Sequence, residues 1–217
     1  MAEKMLLILT EDADLAKSIG AGCEAHYVSV AKSWGELPEE DGDLQAQLGD
    51  LKPSALVFVP PLWPEGPADS DHRQALDFLE QLYRVCHAVV PLITRQPGGR
   101  VAGVLWRDLY GGAGAGTSLS TTAMAAGSAF LRTLAMELAK RGATANGVVT
   151  VPPQTPYSKE HAAARMERQR AFAFLDRAIE ADDIAHALAF LLSPMAQAVT
   201  GALINVDAGA SLGQQQI

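Results

Sequence analysis

The sequence predicts a doubly wound α/β fold, in which a parallel sheet is covered by helices on both faces. Short apolar runs such as Met5–Leu9 and Ala55–Val59 alternate with longer amphipathic stretches. Apolar runs without polar interruption are typical of strands buried on both faces. Strands that alternate with helices favour βαβ units and therefore a parallel sheet. No internal repeat divides the sequence, so residues 1–217 are predicted to form a single domain.

Composition and charge exclude several classes of protein. The sequence is 48% hydrophobic and 19% charged, as in ordinary globular proteins. A formal net charge of −8 argues against nucleic acid or an anionic membrane as the main partner. Cys23 and Cys86 have no metal-ligand spacing, so we expect free thiols and no metal site. With no leader and no apolar run of about 20 residues, a cytoplasmic protein without membrane contact is expected.

The first quarter of the chain predicts two strands and a capped helix between them. Thr10-Glu11-Asp12 is expected to cap the helix, because such side chains accept hydrogen bonds from first-turn amides. This helix is predicted to stop at Gly20-Ala21-Gly22, and His26–Val30 is the second strand. Residues 31–54 are polar and rich in turn formers, with one short helix near Leu44–Leu51.

The middle of the chain predicts a long helix followed by another buried strand. The helix runs from about Asp71 to Thr94, with Pro91 near its end as a possible kink. Gly98-Gly99 predicts a turn and Arg100–Trp106 the strand that follows it. The glycine-rich stretch 111–116 is interpreted as a connector rather than as a phosphate-binding loop.

A second long helix, from Thr117 to Arg141, is expected to be covered on more than one side. Small residues concentrate in 123–129, where another backbone can approach closely, and large apolar residues follow at spacings of three and four. Lys140 and Arg141 suit the negative end of the helix dipole. Gly142 is placed where a helix end favours a positive φ.

The last third of the chain predicts two more strands and two helices. Asn146–Val151 and Ala202–Val206 are apolar runs of strand length. Residues 156–178 are predicted to be helical. Asp182-Asp183 is expected to cap a final helix that extends to Leu191-Leu192.

Several motifs in this order resemble the short-chain dehydrogenase/reductase family. They are Pro91 with Gly98–Val101, the stretch Phe130–Ala139 followed by Gly142 and Asn146, Asp182–Ala185 with Leu188–Ser193, and Val199–Gly209. The resemblance covers residues 71–213 well and residues 1–60 only in outline. It implies a Rossmann-type sheet that is shortened between the second strand and Ala55.

The resemblance also implies where catalytic residues ought to lie. Members of the family interconvert a carbonyl and an alcohol with NAD(P), using a Tyr and a Lys four residues apart, a Ser and an Asn. Alignment places Ser120 at the Tyr position and Met124 at the Lys position, with Trp106 near the Ser and Phe78 near the Asn. A serine hydroxyl is too weak an acid to replace the tyrosine, and a thioether carries neither charge nor proton. We therefore expect no catalytic residue among these positions.

The family's cofactor-binding turn is also altered. In the family, a glycine-rich turn after the first strand lets helix-terminal amides hold the pyrophosphate. This chain has Thr10-Glu11-Asp12-Ala13-Asp14 there, with three carboxylates and no glycine, and carboxylates repel a diphosphate at close range. Pro60-Pro61 and Pro152-Pro153 replace two further family turns. No cofactor is therefore expected in this chain.

The strands and long helices keep the pattern of the family whereas the site residues do not, which suggests that the chain is a non-catalytic subunit. We expect it to pair with an active paralogous subunit that binds NAD, in a heterotetramer, although the same elements would also be retained for the core alone. Candidate interface residues are Leu79, Tyr83, Cys86, Ala126, Phe130, Leu134, Leu203 and Asn205. The size and the pattern of loss are similar to small inactive subunits in the family, including one that serves a hydroxyacyl-CoA dehydrogenase of anaerobic toluene degradation.

Two alternatives remain open from the sequence. One is a regulatory or ligand-binding module that uses the emptied nucleotide cleft, with a mouth lined by Phe58, Trp63, Trp106 and Tyr110. The other is an autonomous oxidoreductase with an atypical site, which predicts NAD(P) binding by the isolated chain.

Overall fold

Strands and helices alternate along the chain in a computed structural model, which describes residues 4–62, 72–95, 98–107 and 118–212. The strands are β1 Met5–Leu9, β2 Val28–Lys32, β3 Pro53–Phe58, β4 Arg100–Trp106, β5 Thr144–Thr150 and β6 Leu203–Val206. The helices are α1 Ala13–Cys23, α2 Asp41–Leu51, α3 His72–Ile93, α4 Ser118–Ala139, α5 Pro156–Ala171 and α6 Ala181–Leu192. Short 3₁₀-helices cover Trp34–Glu36 and Pro194–Ala196.

The described strands form one parallel sheet in the order β2-β1-β3-β4-β5-β6. The four inner strands are buried along almost their whole length, whereas β2 and β6 at the edges are partly exposed. This difference follows from the position of each strand, because an inner strand of a parallel sheet is covered on both faces. The predicted doubly wound α/β fold is confirmed.

The sheet ends at β2, and this is where the predicted shortening lies. The connection from β2 to β3 contains only the first 3₁₀-helix and α2. The strand order therefore reverses at β1, which has β2 on one side and β3 on the other. In open α/β sheets, a crevice forms at such a reversal, beyond the carboxyl ends of the two diverging strands.

The helices form two groups. α1 packs closely against α6, while α2, α3 and α4 pack successively against one another. α4 also lies on β4 and β5, as its small residues predicted. Its Gly127 lies so close to Leu105 that an added Cβ would be 3.1 Å from a leucine methyl group. Gly142 follows this helix with a φ of 67°, which confirms its predicted role at the helix end.

One glycine in the centre of the sheet is required by an aromatic neighbour. Gly103 of β4 is in register with Phe58 of β3, whose side chain is completely buried. A Cβ added to Gly103 would lie 2.3 Å from the phenyl ring. The ring therefore occupies the space that a side chain on β4 would need.

Two boundaries predicted for the last third of the chain are wrong. α5 ends at Ala171 rather than continuing to residue 178. After it, the Leu175 amide donates to the carbonyl oxygen of Ala208 at 3.1 Å and Asp176 has a φ of 47°, so the backbone leaves the helical path. The N-cap of α6 is Glu180, and Asp183 lies in the first turn, where its carboxylate accepts the Glu180 amide at 2.9 Å.

Smaller shifts occur near the amino terminus. α1 continues through its glycines to Cys23, and the amides of His26 and Tyr27 both donate to the Cys23 carbonyl oxygen. This turn delays the second strand, which begins at Val28 rather than at His26. The other predicted strands agree with the structure to within two residues.

Candidate functional site

The candidate site is the crevice beyond the carboxyl ends of β1 and β3. Residues 10–12 follow β1 and residues 59–62 follow β3. The amino terminus of α1 points into this crevice, and a helix start of this kind normally offers free amides to an anionic ligand. The contacts of the surrounding side chains therefore decide what the crevice can hold.

Asp12 occupies the amino terminus of α1. Its Oδ1 accepts the Leu15 amide at 3.0 Å, and its second carboxylate oxygen accepts the hydroxyl of Thr155, the N-cap residue of α5. Asp12 is only 2% exposed. A carboxylate at this position accepts one first-turn amide and complements the helix dipole, so it competes with a phosphate for the start of α1.

Glu11 connects the same turn to the segment that follows β2. Its carboxylate accepts the Ser33 hydroxyl at 2.9 Å and the Trp34 amide at 2.9 Å. These are charge-assisted hydrogen bonds, which are stronger than neutral ones. The contacts hold the 3₁₀-helix beside the crevice.

The indole of Trp34 lies against the carboxyl end of β3. Its Nε1 donates to the carbonyl oxygen of Val59 at 2.8 Å, and its ring meets the ring of Phe78 edge to face with centroids 5.4 Å apart. Trp34 is 4% exposed and Phe78 is 3% exposed. Two large aromatic side chains thus occupy the space between the 3₁₀-helix Trp34–Glu36 and α3.

Trp106 and Met124, which align near the family's catalytic Ser and with its Lys, lie in direct contact. The Trp106 amide points at Met124 Sδ with an N–S distance of 3.1 Å, and both residues are buried. The Trp106 indole donates to the carbonyl oxygen of Pro60 at 2.8 Å. Ser120 lies one turn before Met124 on α4, and its side chain is outside the part that the structure describes.

α5 begins on the other side of the crevice. The Tyr157 hydroxyl accepts the Leu62 amide at 3.3 Å. Burial raises the pKa of Tyr157, and the negative charges of Glu11 and Asp12 act in the same direction against the opposing effect of the Leu62 amide. This phenol therefore stays protonated at neutral pH and is unsuited to the role of a base.

The remaining residues of the turn aligned with the family's cofactor loop differ in exposure. Ala13 and Asp14 lie in the first turn of α1 and are exposed. Thr10 is buried and its hydroxyl accepts the Asp12 amide at 3.1 Å. Pro152 and Pro153, at the end of β5, are buried. The turn is therefore held within the chain by the bonds of Thr10 and Asp12.

Sequence reasoning missed three residues of this site, namely Trp34, Thr155 and Tyr157. A tryptophan within an otherwise polar, turn-rich stretch was the signal for the first. Thr155 followed by Pro156 is the pattern of an N-cap with proline at the first helical position, and it marks the start of α5. No local pattern marks their contacts, which join distant segments.

The predicted interface residues divide into three groups by exposure. Tyr83 and Asn205 are exposed, and Leu79, Ala126, Phe130 and Leu203 are half-buried. Cys86 and Leu134, in contrast, are 3% and 5% exposed. These two side chains pack in the core of the chain itself, so their assignment to an interface was wrong.

The predicted lining of an open cleft mouth is also corrected in part. Phe58 is completely buried, with its ring over Gly103, and Trp106 is 5% exposed. Neither side chain is available to a ligand at a cleft mouth. Trp63 and Tyr110 lie outside the described residues.

Two features are absent from the described part of the chain. Within it, no group of three His, Cys, Asp or Glu side chains is placed to hold a metal ion. None of its helices combines the length and the apolar character that are needed to cross a membrane.

Comparison with known proteins gives consistent results. A family model described as enoyl-(acyl carrier protein) reductase matches residues 72–211. The 3-oxoacyl-(acyl-carrier-protein) reductase FabG of Pseudomonas aeruginosa is 33% identical over 132 residues, which are 60% of this chain and 53% of that protein. The matched part of the chain thus spans about half the length of this curated relative.

Solved structures resemble almost the whole chain. An oxidoreductase of the short-chain dehydrogenase/reductase family from Burkholderia thailandensis has a TM-score of 0.81 at 19% identity, covering 97% of this chain and 93% of that one. A putative NAD(P)-dependent gluconate 5-dehydrogenase from Beutenbergia cavernae has a TM-score of 0.83 at 16% identity, covering 99% and 98%. At such identities the similarity shows the fold.

Proposed function

We propose, from the premise that this chain belongs to the short-chain dehydrogenase/reductase family, that it is a non-catalytic subunit of a hetero-oligomeric dehydrogenase. In this proposal it pairs with an active paralogous subunit, which binds NAD and carries out the reaction. The chain itself stabilises the fold of that subunit.

The contact between Trp106 and Met124 carries the proposal. Carbonyl reduction requires a group that donates a proton at the substrate oxygen, with a pKa lowered by a neighbouring cation. At the position of the family's cation, its Lys, this chain has the Met124 thioether, which faces a backbone amide. Near the position of the family's Ser it has the Trp106 indole, whose N–H donates to Pro60. Neither group titrates in the range that proton transfer needs.

The residues of the crevice do not fit a dinucleotide. A pyrophosphate at the start of α1 would meet the Asp12 carboxylate, which is already bonded to Leu15 and Thr155. Displacing that carboxylate would break two hydrogen bonds and bring negative charges together in a buried site. We therefore assign NAD to the partner subunit.

The outer surfaces of α3 and α4 support the assignment of a partner. Leu76 and Tyr83 are both 62% exposed and lie two turns apart on α3, and Met136 of α4 is 68% exposed. Large apolar side chains on adjacent helices are typical of surfaces that another protein covers. A helical partner with a similar face would bury them.

The substrate class of the partner is a finer proposal. We propose that the active subunit acts on a hydroxyacyl-CoA, as in anaerobic toluene degradation. Support comes from the names of the matching family model and of the Pseudomonas aeruginosa relative, both of which are reductases of acyl-carrier-protein thioesters. Coenzyme A esters belong to the same chemical class of thioester.

Co-expression with dehydrogenases encoded near this chain tests the pairing. We expect a stable complex whose intact mass, measured by native mass spectrometry, corresponds to a heterotetramer. Calorimetry of the isolated chain should detect no NAD(H) binding. Purification of the chain as a homotetramer, with the dehydrogenase fully active without it, would contradict the proposal.

Matched surface variants locate the contact. Tyr83→Glu and Met136→Glu each place a charge on the proposed surface and should abolish or greatly weaken co-purification. Phe174→Glu changes an equally exposed side chain, 67% accessible, on the segment after α5. It serves as the control and should leave the complex intact. Equal loss in all three variants would contradict the assignment of the contact to α3 and α4.

A further inference from the structure

The first turn of α5 is bonded to the segments that follow β1 and β3, the two strands that flank the crevice. Thr155, its N-cap, accepts the Ser158 amide at 3.2 Å and donates its own hydroxyl to the carboxylate of Asp12. Asp12 is in turn the N-cap of α1 and follows β1. One hydroxyl thus joins the amino termini of two helices whose caps are 143 residues apart in sequence.

A second contact ties the same turn to β3. The Tyr157 hydroxyl accepts the amide of Leu62, a residue that is 4% exposed and follows β3. The Tyr157 ring also lies against His161 one turn further along, with centroids 4.4 Å apart. The hydrogen bond of the hydroxyl and the packing of the ring therefore fix the Tyr157 side chain between the crevice and the following turn of α5.

A third contact lies near the other end of the helix. Gln169 is 3% exposed, and its Nε2 donates to the carbonyl oxygen of Arg107 at 3.3 Å. Arg107 directly follows β4, and its guanidinium donates to Asn205 at 3.2 Å. α5 is therefore bonded to the segments that follow three strands, β1, β3 and β4.

We propose that the Thr155–Asp12 and Tyr157–Leu62 contacts form a clasp that keeps α5 closed over the crevice without any bound nucleotide. Lifting α5 would leave the buried Asp12 carboxylate without one of its two partners and the Leu62 amide without an acceptor. Unpaired buried groups of this kind are costly, and charged ones most of all. The closed arrangement is thus the stable state of the ligand-free chain. The clasp is a property of this chain alone and does not depend on the proposed partner.

Hydrogen exchange of the full-length chain, followed by mass spectrometry without nucleotide, tests the clasp. In the wild type, amides of α5 should be protected. Tyr157→Phe removes only the hydroxyl that accepts the Leu62 amide, and Thr155→Val removes the bond to Asp12. Each variant should raise exchange in α5 by about three- to tenfold, which corresponds to one lost hydrogen bond. Exchange in β4 and β5 should stay unchanged.

Two controls separate the clasp from general destabilisation. Tyr27→Phe also removes a buried tyrosine hydroxyl, which donates to the Leu192 carbonyl oxygen at 3.0 Å outside the crevice. It should leave the exchange of α5 at the wild-type rate. Thr155→Ser keeps the hydroxyl and should behave like the wild type. If Thr155→Val does not fold, Tyr157→Phe still decides, because it leaves the cap of α5 intact.

Three results would overturn the proposal. The first is rapid exchange of α5 in the wild-type chain without nucleotide. The second is unchanged exchange in Tyr157→Phe and Thr155→Val. The third is an equal increase in Tyr27→Phe, which would show that α5 responds only to global stability.

Discussion

Replacement of Trp34 by alanine tests whether the crevice is part of the core. The side chain is 4% exposed, its indole donates to Val59 at 2.8 Å and its ring packs on Phe78. Truncation of a buried tryptophan costs about 3–5 kcal/mol, which includes the cavity that remains. For a domain of this size, that corresponds to a fall in melting temperature of about 6–20 °C.

Trp34→Phe separates the hydrogen bond from the packing. The phenyl ring retains most of the aromatic contact, but the buried Val59 carbonyl loses its donor. Leaving such a group unpaired costs about 1–3 kcal/mol. Met136→Ala is the matched control, because the methionine is 68% exposed and its truncation should change stability by less than about 0.5 kcal/mol. Urea unfolding followed by circular dichroism gives the change in unfolding free energy for Trp34→Ala, Trp34→Phe and Met136→Ala without relying on tryptophan emission.

The reasoning fails if Trp34→Ala unfolds within about 0.5 kcal/mol of the wild type, as a side chain lining an open cleft would. It also fails if a nucleotide stabilises the wild-type chain. A dinucleotide present at about 100 times its dissociation constant would add about 2.7 kcal/mol, or about 5–11 °C. We expect no such shift with NAD(H) or NADP(H).

Three further predictions concern other parts of the fold. Burial raises the pKa of Cys23 to about 11 and that of Cys86 to about 12, so both thiols should stay protonated at neutral pH and resist thiol reagents until urea unfolds the chain. Gly103→Ala should destabilise the protein by about 1–3 kcal/mol in urea unfolding, because the new methyl group overlaps a fixed phenyl ring. The hydrogen bond from Arg177 lowers the pKa of Asp183 below its usual value. The stability that this pair contributes should therefore be present above about pH 4 and be lost as the pH falls through the lowered pKa, which the urea midpoint as a function of pH will show.

Controls for these predictions lie in the same chain. Gly49 is in α2 and has no atom within 4 Å of an added Cβ, so Gly49→Ala should not destabilise the protein. Asp182 is exposed in the same helical turn as Asp183 and serves as the control. Asp182→Asn should leave the fall of the urea midpoint at acidic pH unchanged, whereas Asp183→Asn should reduce that fall. Rapid labelling of either cysteine in the folded chain would contradict the burial of the thiols.

Local features of the fold could be predicted from the sequence. The position of Thr10-Glu11-Asp12 before an amphipathic run is sufficient to predict a helix cap there, and the structure shows that Asp12 is the N-cap. Met5–Leu9 and Arg100–Trp106 were predicted with their observed limits, since continuous apolar runs bounded by polar or turn residues define a buried strand. Gly142 was identified from the requirement for a positive φ after a helix.

Features that depend on distant contacts could not be predicted. Trp34 bonds to a carbonyl oxygen 25 residues further along the chain, and no local pattern specifies that partner. Cys86 and Leu134 were assigned to an interface because helical spacing identifies an apolar face without showing whether the sheet or a second protein covers it. The end of α5 was misplaced because residue 175 bonds to residue 208, which competes with continuation of the helix.

The shared carboxylate of Asp12 also bears on how this chain could change over evolutionary time. A mutation that removed the carboxylate to admit a phosphate would at once remove the N-cap of α1 and leave the Thr155 hydroxyl without its acceptor. Stability would fall before any affinity for a nucleotide was gained, and the indole of Trp34 would still occupy its place. A dinucleotide site at this turn would therefore require several simultaneous substitutions. In the proposed non-catalytic subunit, the absence of such a site is thus protected against single mutations.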